Sequence, residues 1–224
     1  MELNFIGIGG AFNTELGNNS AYIIENNKIL FIDIGLDTFD KIVKHKLLEN
    51  KKEVYVLITH LHGDHVGGLP TFIQYSYIMH NKVVKIVDNS VSFTKQLKHL
   101  LDITGVDTYN YEFINSMNMP FSFKTELRLT THTPLLECYS VIFNELEGKT
   151  LYTSDSNDIG YLEEKINDKS FIKIYTEVGE TSVHTDYKKL KQLDRKKLIL
   201  MHIESPELYK EILKEGYNVP NYLK

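Results

Sequence analysis

The order of apolar and polar positions predicts short strands that alternate with helices. Apolar runs typical of strands occur at Leu3–Ile8, Ala21–Ile24, Lys28–Ile34, Val54–Thr59, Lys82–Val87, Tyr139–Phe143, Thr150–Thr153, Phe171–Thr176 and Lys197–His202. Apolar residues recur at helical spacing in Thr38–Asn50, Val66–Met79, Val91–Leu101, Thr185–Leu193 and Pro206–Glu215. The aromatic-rich segment Thr108–Leu129 has no clear period, so no element is assigned to it.

Two short turns indicate hairpins within this pattern. Asn26-Asn27 separates two strand-like runs, and Glu147-Gly148 separates two others; Asn and Gly both tolerate the backbone of a tight turn. Because hairpins and helical crossovers both occur, the sheets are predicted to be mixed. No repeat, low-complexity tract or Pro/Gly-rich linker interrupts the chain, so residues 1–224 are predicted to form a single α/β domain.

Composition and charge restrict the classes of partner. The chain has a net charge of -5, and only Arg128 and Arg195 among its 25 basic residues are arginines. A protein that grips long nucleic acid usually presents a basic, arginine-rich face, so nucleic acid is not the expected partner. No apolar run reaches the length of a membrane span, and no signal peptide is recognisable. With Cys138 as its single cysteine, the protein is expected to be cytoplasmic.

The strongest chemical signal is Thr59-His60-Leu61-His62-Gly63-Asp64-His65, which directly follows a buried strand. His60 and His62 are two residues apart, so their side chains can point the same way while the chain is extended. Asp64 and His65 lie at the turn into the next helix, so their side chains can point to a second position near the first. Imidazole and carboxylate groups suit Zn, Mn or Fe, so the loop is a candidate metal site.

This His-x-His-x-Asp-His motif resembles the signature of the metallo-β-lactamase fold, an αββα sandwich of two mixed sheets flanked by helices. Later segments follow in the order typical of that family, each near a strand end. They are Thr131-His132-Thr133, Tyr152-Thr153-Ser154-Asp155 and Leu198-Ile199-Leu200-Met201-His202. Each segment is weak evidence alone, but their shared order and position make the resemblance specific.

The resemblance implies two divalent metal ions, with zinc favoured and manganese as the alternative. It assigns one ion to His60, His62 and His132, the other to Asp64, His65 and His202, and the bridge between them to Asp155. Asp33 matches a position outside the ligand set, where it would orient a ligand or a backbone turn. The alternative for Asp33 is an ordinary strand-end turn aspartate.

The glycines at the start of the chain invite a different interpretation. Gly7-x-Gly9-Gly10 followed by Asp33 superficially matches a dinucleotide-binding fingerprint. The match fails because Phe12 occupies the third glycine position and the segment up to Asp33 is predicted as a hairpin rather than a helix. The loop with Asn18-Asn19-Ser20 instead resembles the opening of the phosphodiesterase branch of the metallo-β-lactamase fold.

The segment after Asp155 indicates which branch of the metallo-β-lactamase fold the chain resembles. Thr176-Glu177 and Val183-His184-Thr185 resemble the Glu and His motifs of the tRNA 3′-processing endonucleases and related phosphodiesterases. This resemblance implies that His184 protonates the leaving oxygen and that Glu177 orients His184. Asp64 is expected to orient the attacking hydroxide. The alternative for His184 is a solvent-exposed residue at a helix start.

The substrate is expected to be small. The endonucleases usually carry a long arm, whereas the stretch from His132 to Asp155 has room only for a hairpin. The chain resembles the phage anti-Pycsar protein family in length, motifs and missing arm. That resemblance implies a homodimeric cyclic nucleotide phosphodiesterase that converts 3′,5′-cyclic mononucleotides to 5′-monophosphates. It also implies that the enzyme degrades a defence signal in phage immune evasion, in the host cytoplasm if phage-encoded.

Two other functions remain open at this stage. A precursor-tRNA endonuclease would need a lysine patch beside the metal site, and a non-catalytic protein would bind and sequester a nucleotide. Base recognition is assigned no residue, but five clustered aromatics are candidates for stacking: Tyr109, Tyr111, Phe113, Phe121 and Phe123. Their alternative role is packing in the core or at a dimer contact, as for Tyr75, Tyr77 and Met79 on the helix after the metal loop.

Overall fold

The computed structural model describes residues 1–224 and contains eleven strands and seven α-helices. The strands are β1 (Asn4–Gly7), β2 (Ser20–Glu25), β3 (Lys28–Ile32), β4 (Glu53–Leu57), β5 (Val84–Asp88), β6 (Tyr111–Asn115), β7 (Lys124–Thr130), β8 (Cys138–Asn144), β9 (Lys149–Tyr152), β10 (Phe171–Val178) and β11 (Leu198–Ile203). The helices are α1 (Thr38–Lys44), α2 (Gly63–Val66), α3 (Leu69–His80), α4 (Val91–Ile103), α5 (Ile159–Asn167), α6 (Tyr187–Leu190) and α7 (Pro206–Lys214).

The strands form two mixed sheets. One has six strands in the order β1-β2-β3-β4-β5-β6, with antiparallel pairs up to β3 and parallel pairs beyond it. The other has five strands in the order β11-β10-β9-β8-β7, parallel from β9 to β11 and antiparallel around β8. The predicted fold class, an α/β chain with mixed sheets and hairpins, is confirmed.

Alternating side chains of the six-stranded sheet separate two apolar layers. On β3, Ile29 and Phe31 pack with residues of α3 and α4 on the outer face. Their neighbours Leu30 and Ile32 point to the opposite face and join the core shared with the five-stranded sheet. Residues of α5 and α7 pack against the five-stranded sheet, so helices cover the outside of both sheets.

The helix boundaries differ from the sequence predictions where the backbone turns. The helix predicted over Thr38–Asn50 ends at Lys44, and Lys46 and Asn50 adopt positive φ in the turns that follow. The helix predicted over Val66–Met79 corresponds to α3, which begins only at Leu69, because Gly67 and Gly68 separate it from the short helix α2. Helix α5 was not predicted, and Thr108–Leu129 contains most of β7 and all of β6.

The topology brings several strand ends to one edge of the sandwich. Strands β7, β9, β10 and β11 run in the same direction, because β8 is antiparallel to both of its neighbours. Strands β3 and β4 are parallel to each other in the other sheet. Side chains that follow the carboxyl ends of these strands therefore meet across the sheets. No helix combines the length and apolar character needed to span a bilayer.

Candidate metal centre

The loop after β4 presents its histidines as the spacing predicts. His60 is fully buried, and His62 has extended backbone at the start of α2. His60 Nε2 lies 3.1 Å from His62 Nδ1, so the two rings face the same space. Asp64 and His65 lie in the first turn of α2, where the change of backbone direction turns them toward a second position.

The later histidines complete two groups around this loop. His132, which follows β7, places Nε2 3.3 Å from His62 Nδ1. His202, near the end of β11, places Nε2 3.3 Å from His65 Nε2. Asp64 Oδ2 lies 3.2 Å from Nε2 of both His65 and His202. Six residues separated in sequence thus form two compact sets of donor atoms.

Asp155, which follows β9, lies between the two sets. Its Oδ1 lies 3.4 Å from Nε2 of both His65 and His202. Its Oδ2 lies 3.7 Å from His60 Nε2 and 3.6 Å from His132 Nε2. One carboxylate oxygen therefore faces each set, as a bridging ligand requires.

The donor set fits divalent metal ions. Tetrahedral ligands about 2.0–2.1 Å from zinc lie about 3.3 Å from one another, close to the separations within both sets. Asp155 Oδ1 is buried without a hydrogen-bond partner, although a buried carboxylate oxygen normally has one. A cation held by the set that contains His65 and His202 would satisfy that oxygen. The cluster therefore has the composition and spacing of a metal-binding site.

The electrostatics of the cluster also favour bound cations. Burial lowers the pKa values of His60, His62 and His132, which keeps their imidazoles neutral and able to ligate. Burial works to raise the pKa of Asp155, but the surrounding imidazoles outweigh it and hold that pKa well below its usual range. The pKa of His65 is raised despite burial, chiefly by the negative charges of Asp155 and Asp33. The second set therefore attracts positive charge.

Asp33 lies next to the cluster and is joined to it by hydrogen bonds. The carboxylate is completely buried and accepts hydrogen bonds from Thr59 N at 2.7 Å, Thr59 Oγ1 at 2.8 Å and His65 Nδ1 at 2.8 Å. Thr59 Oγ1 lies 3.1 Å from His60 Nδ1, and His132 Nδ1 lies 2.8 Å from the Val183 carbonyl oxygen. Asp33 thus contacts both a backbone turn and a ring of the cluster.

Three non-glycine residues at the centre have left-handed backbone. Asp33 has φ of 64°, Ser154 has φ of 53° and His202 has φ of 45°. Such conformations cost free energy and persist only where the surroundings enforce them, which is common at functional sites. Each of them comes at or just beyond a strand end, where the turn redirects a carboxylate or an imidazole.

Glu177 and His184 form a hydrogen-bonded pair beside the cluster. Glu177 is fully buried at the end of β10; its Oε2 accepts from His184 Nδ1 and its Oε1 accepts from Ser156 N. Burial and the charge of Asp155 raise the pKa of Glu177 to about 7. Burial works to lower the pKa of His184, but the hydrogen bond to Glu177 raises it to about 9. His184 is thus oriented by Glu177 and favours its protonated form.

A cavity of about 520 Å³ opens onto the cluster. Its inner wall contains ligand-type side chains and His184, and its lip contains apolar residues, namely Ala11, Phe12, Leu36 and Val183. Phe12 was not identified from the sequence as a functional residue. The only signal in the sequence is a single aromatic residue directly after the Gly7-x-Gly9-Gly10 turn.

The aromatic candidates from the irregular segment do not line this cavity. Tyr111, Phe121 and Phe123 are buried in the apolar cores, and Phe113 packs at the edge of the outer one. Tyr109 is exposed and packs edge-to-face against Tyr77, with the ring centroids 5.3 Å apart. The alternative role considered from the sequence, packing in the core, therefore describes Tyr111, Phe113, Phe121 and Phe123.

Known proteins match both the sequence and the fold. The sequence profile described as "Anti-Pycsar protein Apyc1" matches residues 1–217. The anti-Pycsar protein Apyc1 of Paenibacillus sp. (strain J14) is 28% identical over an alignment of 210 residues that covers 86% of this chain and 84% of that protein. A ribonuclease Z of Oceanobacillus iheyensis is 39% identical over 77 residues, only 33% of this chain and 25% of that protein.

Structures of known proteins agree with the topology. The metallo-β-lactamase fold protein YhfI of Bacillus subtilis aligns with a TM-score of 0.74 at 14% identity, covering 99% of this chain and 95% of that one. The short form of human tRNase Z aligns with a TM-score of 0.69 at 14% identity, covering 100% and 98%. The predicted metallo-β-lactamase αββα sandwich is confirmed.

The fold, the family match and the His/Asp cluster together identify a metal-dependent hydrolase. The profile extends over nearly the whole chain and therefore includes every residue of the cluster, from His60 to His202. The chain belongs to the anti-Pycsar protein Apyc1 family.

Proposed function

We propose that the protein is a phosphodiesterase that hydrolyses 3′,5′-cyclic mononucleotides to nucleoside 5′-monophosphates. The observation that carries the proposal is the Glu177–His184 pair on the wall of the cavity that holds the metal-type ligands. Hydrolysis of an alkyl phosphodiester requires a site that holds the phosphate and a proton donor for the departing oxygen. Membership in the anti-Pycsar family supports a cyclic nucleotide as the substrate.

The ligand assignment follows from the two donor sets. We assign His60, His62 and His132 to one divalent ion, Asp64, His65 and His202 to a second, and Asp155 to both. Zinc is the favoured metal, with manganese as the alternative, because imidazole and carboxylate donors suit both. When bound, the ions hold the phosphate, neutralise its charge and lower the pKa of a water.

The remaining chemistry belongs to the protein's own side chains. Asp64 lines the cavity, where its carboxylate can orient the attacking oxygen. His184 has its Nδ1 occupied by Glu177, so its Nε2–H is the group left to donate a proton to the 3′ oxygen. One water is added, the bond between phosphorus and the 3′ oxygen breaks, and the product is the 5′-monophosphate.

The shape of the site supports a small substrate. The connection between β8 and β9 is a tight turn at Glu147-Gly148 rather than an extended arm. No lysine or arginine lines the cavity, whereas a tRNA substrate would need basic groups beside it. We further propose that the enzyme acts as a homodimer in the cytoplasm, which is the host cytoplasm if the protein is phage-encoded, and that it degrades a defence signal in phage immune evasion.

Precursor-tRNA cleavage is the second candidate, supported by the partial sequence match to ribonuclease Z. The test is to incubate purified, metal-loaded protein with a panel of 3′,5′-cyclic mononucleotides and, separately, with precursor tRNA, each with and without a chelator. We expect 5′-monophosphates that disappear when the chelator is present. Cleavage of tRNA with intact cyclic nucleotides would replace the proposal by the endonuclease, and tight binding without turnover would favour a sequestering protein.

A further inference from the structure

Phe12 is an aromatic side chain displayed almost entirely to solvent. Its exposure is 95%, although residues of this kind are usually buried. The ring lies at the lip of the metal-site cavity and also borders an adjoining cavity of about 230 Å³, which contains His184 and His202. An exposed aromatic group at the junction of two cavities is placed to contact a ligand rather than the core.

The turn that carries Phe12 is held firmly. Gly10 N donates to the Ile203 carbonyl at 2.9 Å, and Asn13 N donates to the Gly10 carbonyl at 3.0 Å. The Asn13 side chain, only 1% exposed, also donates to the Ile203 carbonyl at 3.0 Å. Because Ile203 follows His202, these bonds fix the position of Phe12 relative to the metal-type ligands.

The groups that share the lip of the metal-site cavity with Phe12 favour a planar, apolar ligand surface. Leu36 is 68% exposed at the same lip, and Val183 is also exposed there. The charged groups of the metal-site cavity are its ligand-type side chains and His184, and Glu204 lines the adjoining cavity. A nucleotide whose phosphate occupies the inner wall of the metal-site cavity would therefore direct its base toward the apolar lip, where only Phe12 offers a flat ring.

We propose that Phe12 is the stacking platform for the nucleobase of the substrate. This proposal rests on the function proposed above, because it takes the phosphate to be held by the metal-type ligands. Every base has a π-face, so a single aromatic ring can retain any base without reading its hydrogen-bonding edge. Preorganisation of the turn reduces the entropy lost when the base stacks.

The test compares adenosine 5′-monophosphate with ribose 5-phosphate, which lacks the base. Titration calorimetry of the metal-loaded protein should show the nucleotide binding about 5- to 150-fold more tightly. Phe12→Ala should weaken nucleotide binding, and so lower that ratio most of the way to one, without changing the affinity for ribose 5-phosphate. Phe12→Trp should keep the wild-type ratio. Leu146→Ala is the matched control, since Leu146 is a fully exposed apolar residue that lines neither cavity.

Kinetics provide a second readout. Because stacking acts on substrate and transition state alike, Phe12→Ala should raise KM for a cyclic nucleotide and leave kcat unchanged. An unaltered nucleotide-to-ribose 5-phosphate ratio in Phe12→Ala would overturn the proposal. An equal loss of affinity for both ligands would also overturn it, since that result indicates a displaced turn. Failure of the wild type to hydrolyse cyclic nucleotides while keeping the ratio would contradict the proposed function instead.

Discussion

At the scale of single residues, Asp33 positions both the start of the metal loop at Thr59 and the ring of His65. Its carboxylate accepts from Thr59 and from His65 Nδ1, which directs His65 Nε2 toward Asp64 and Asp155. Partners of this kind set the tautomer and orientation of a ligating histidine. The left-handed backbone of Asp33 is the conformational cost of placing the carboxylate there.

We therefore expect Asp33→Asn to weaken metal binding by about 10- to 100-fold. The amide is similar in size, but it would present a donor NH₂ group where a second acceptor oxygen is needed. Metal affinity is measured by competition with a chromophoric chelator. Asp102→Asn serves as the control, because Asp102 is an exposed carboxylate on α4 outside the site. An unchanged affinity in Asp33→Asn would show that Asp33 only supports the turn.

Residue types and spacing were enough to locate the cluster, because His60, His62, Asp64 and His65 occur within a few positions after one strand. The structure brings His132, Asp155 and His202 to the same place, as the resemblance implied. The positive φ angle at Ser154 could not be predicted, since serine does not signal that backbone, and the enrichment of histidine at positive φ is too weak to predict His202. Phe12 was missed because exposure at a cavity lip depends on packing, not on local pattern.

At the scale of elements, the close approach of the metal loop to the turn after β3 depends on Gly35. A Cβ added at Gly35 would lie 2.2 Å from the Asp64 carbonyl oxygen and 2.6 Å from Asn18 Cβ. The first of these is backbone, so a side-chain rotation cannot relieve the clash. The packing of α2 against this turn therefore requires glycine.

Gly35→Ala should destabilise the fold by about 1–3 kcal/mol and reduce metal content, since the clash pushes Asp64 out of place. Urea unfolding and elemental analysis measure the two effects. Gly160→Ala is the matched control: in α5 the added Cβ would meet only Asp158 Oδ1, at 3.8 Å. That variant should be neutral or more stable by up to about 1 kcal/mol. Equal stability and equal metal content in the two variants would contradict the requirement for glycine at position 35.

Element prediction succeeded where local pattern and packing agree. The Asn26-Asn27 hairpin occurs as predicted, with Asn26 at φ of 56°. Helix α5 escaped prediction because four apolar residues, Ile159, Tyr161, Leu162 and Ile166, lie among polar ones in a short segment. The helix depends on packing against the five-stranded sheet and on a cap in which Asp158 accepts from Tyr161 N.

At the scale of the whole molecule, neither sheet holds the centre alone. The six-stranded sheet supplies His60, His62, Asp64 and His65 through the loop after β4. The five-stranded sheet supplies His132, Asp155 and His202, together with the Glu177–His184 pair. The central claim is that this composite site cleaves a phosphodiester with His184 as the proton donor to the leaving oxygen.

The most direct test compares turnover of a 3′,5′-cyclic mononucleotide by wild type and His184→Ala, with metal content measured in both. We expect equal metal content and a fall in kcat of about 10²–10⁴-fold, because His184 lies outside both ligand sets but would supply the proton. Wild-type kcat in a fully metal-loaded His184→Ala protein would show that His184 is not the proton donor.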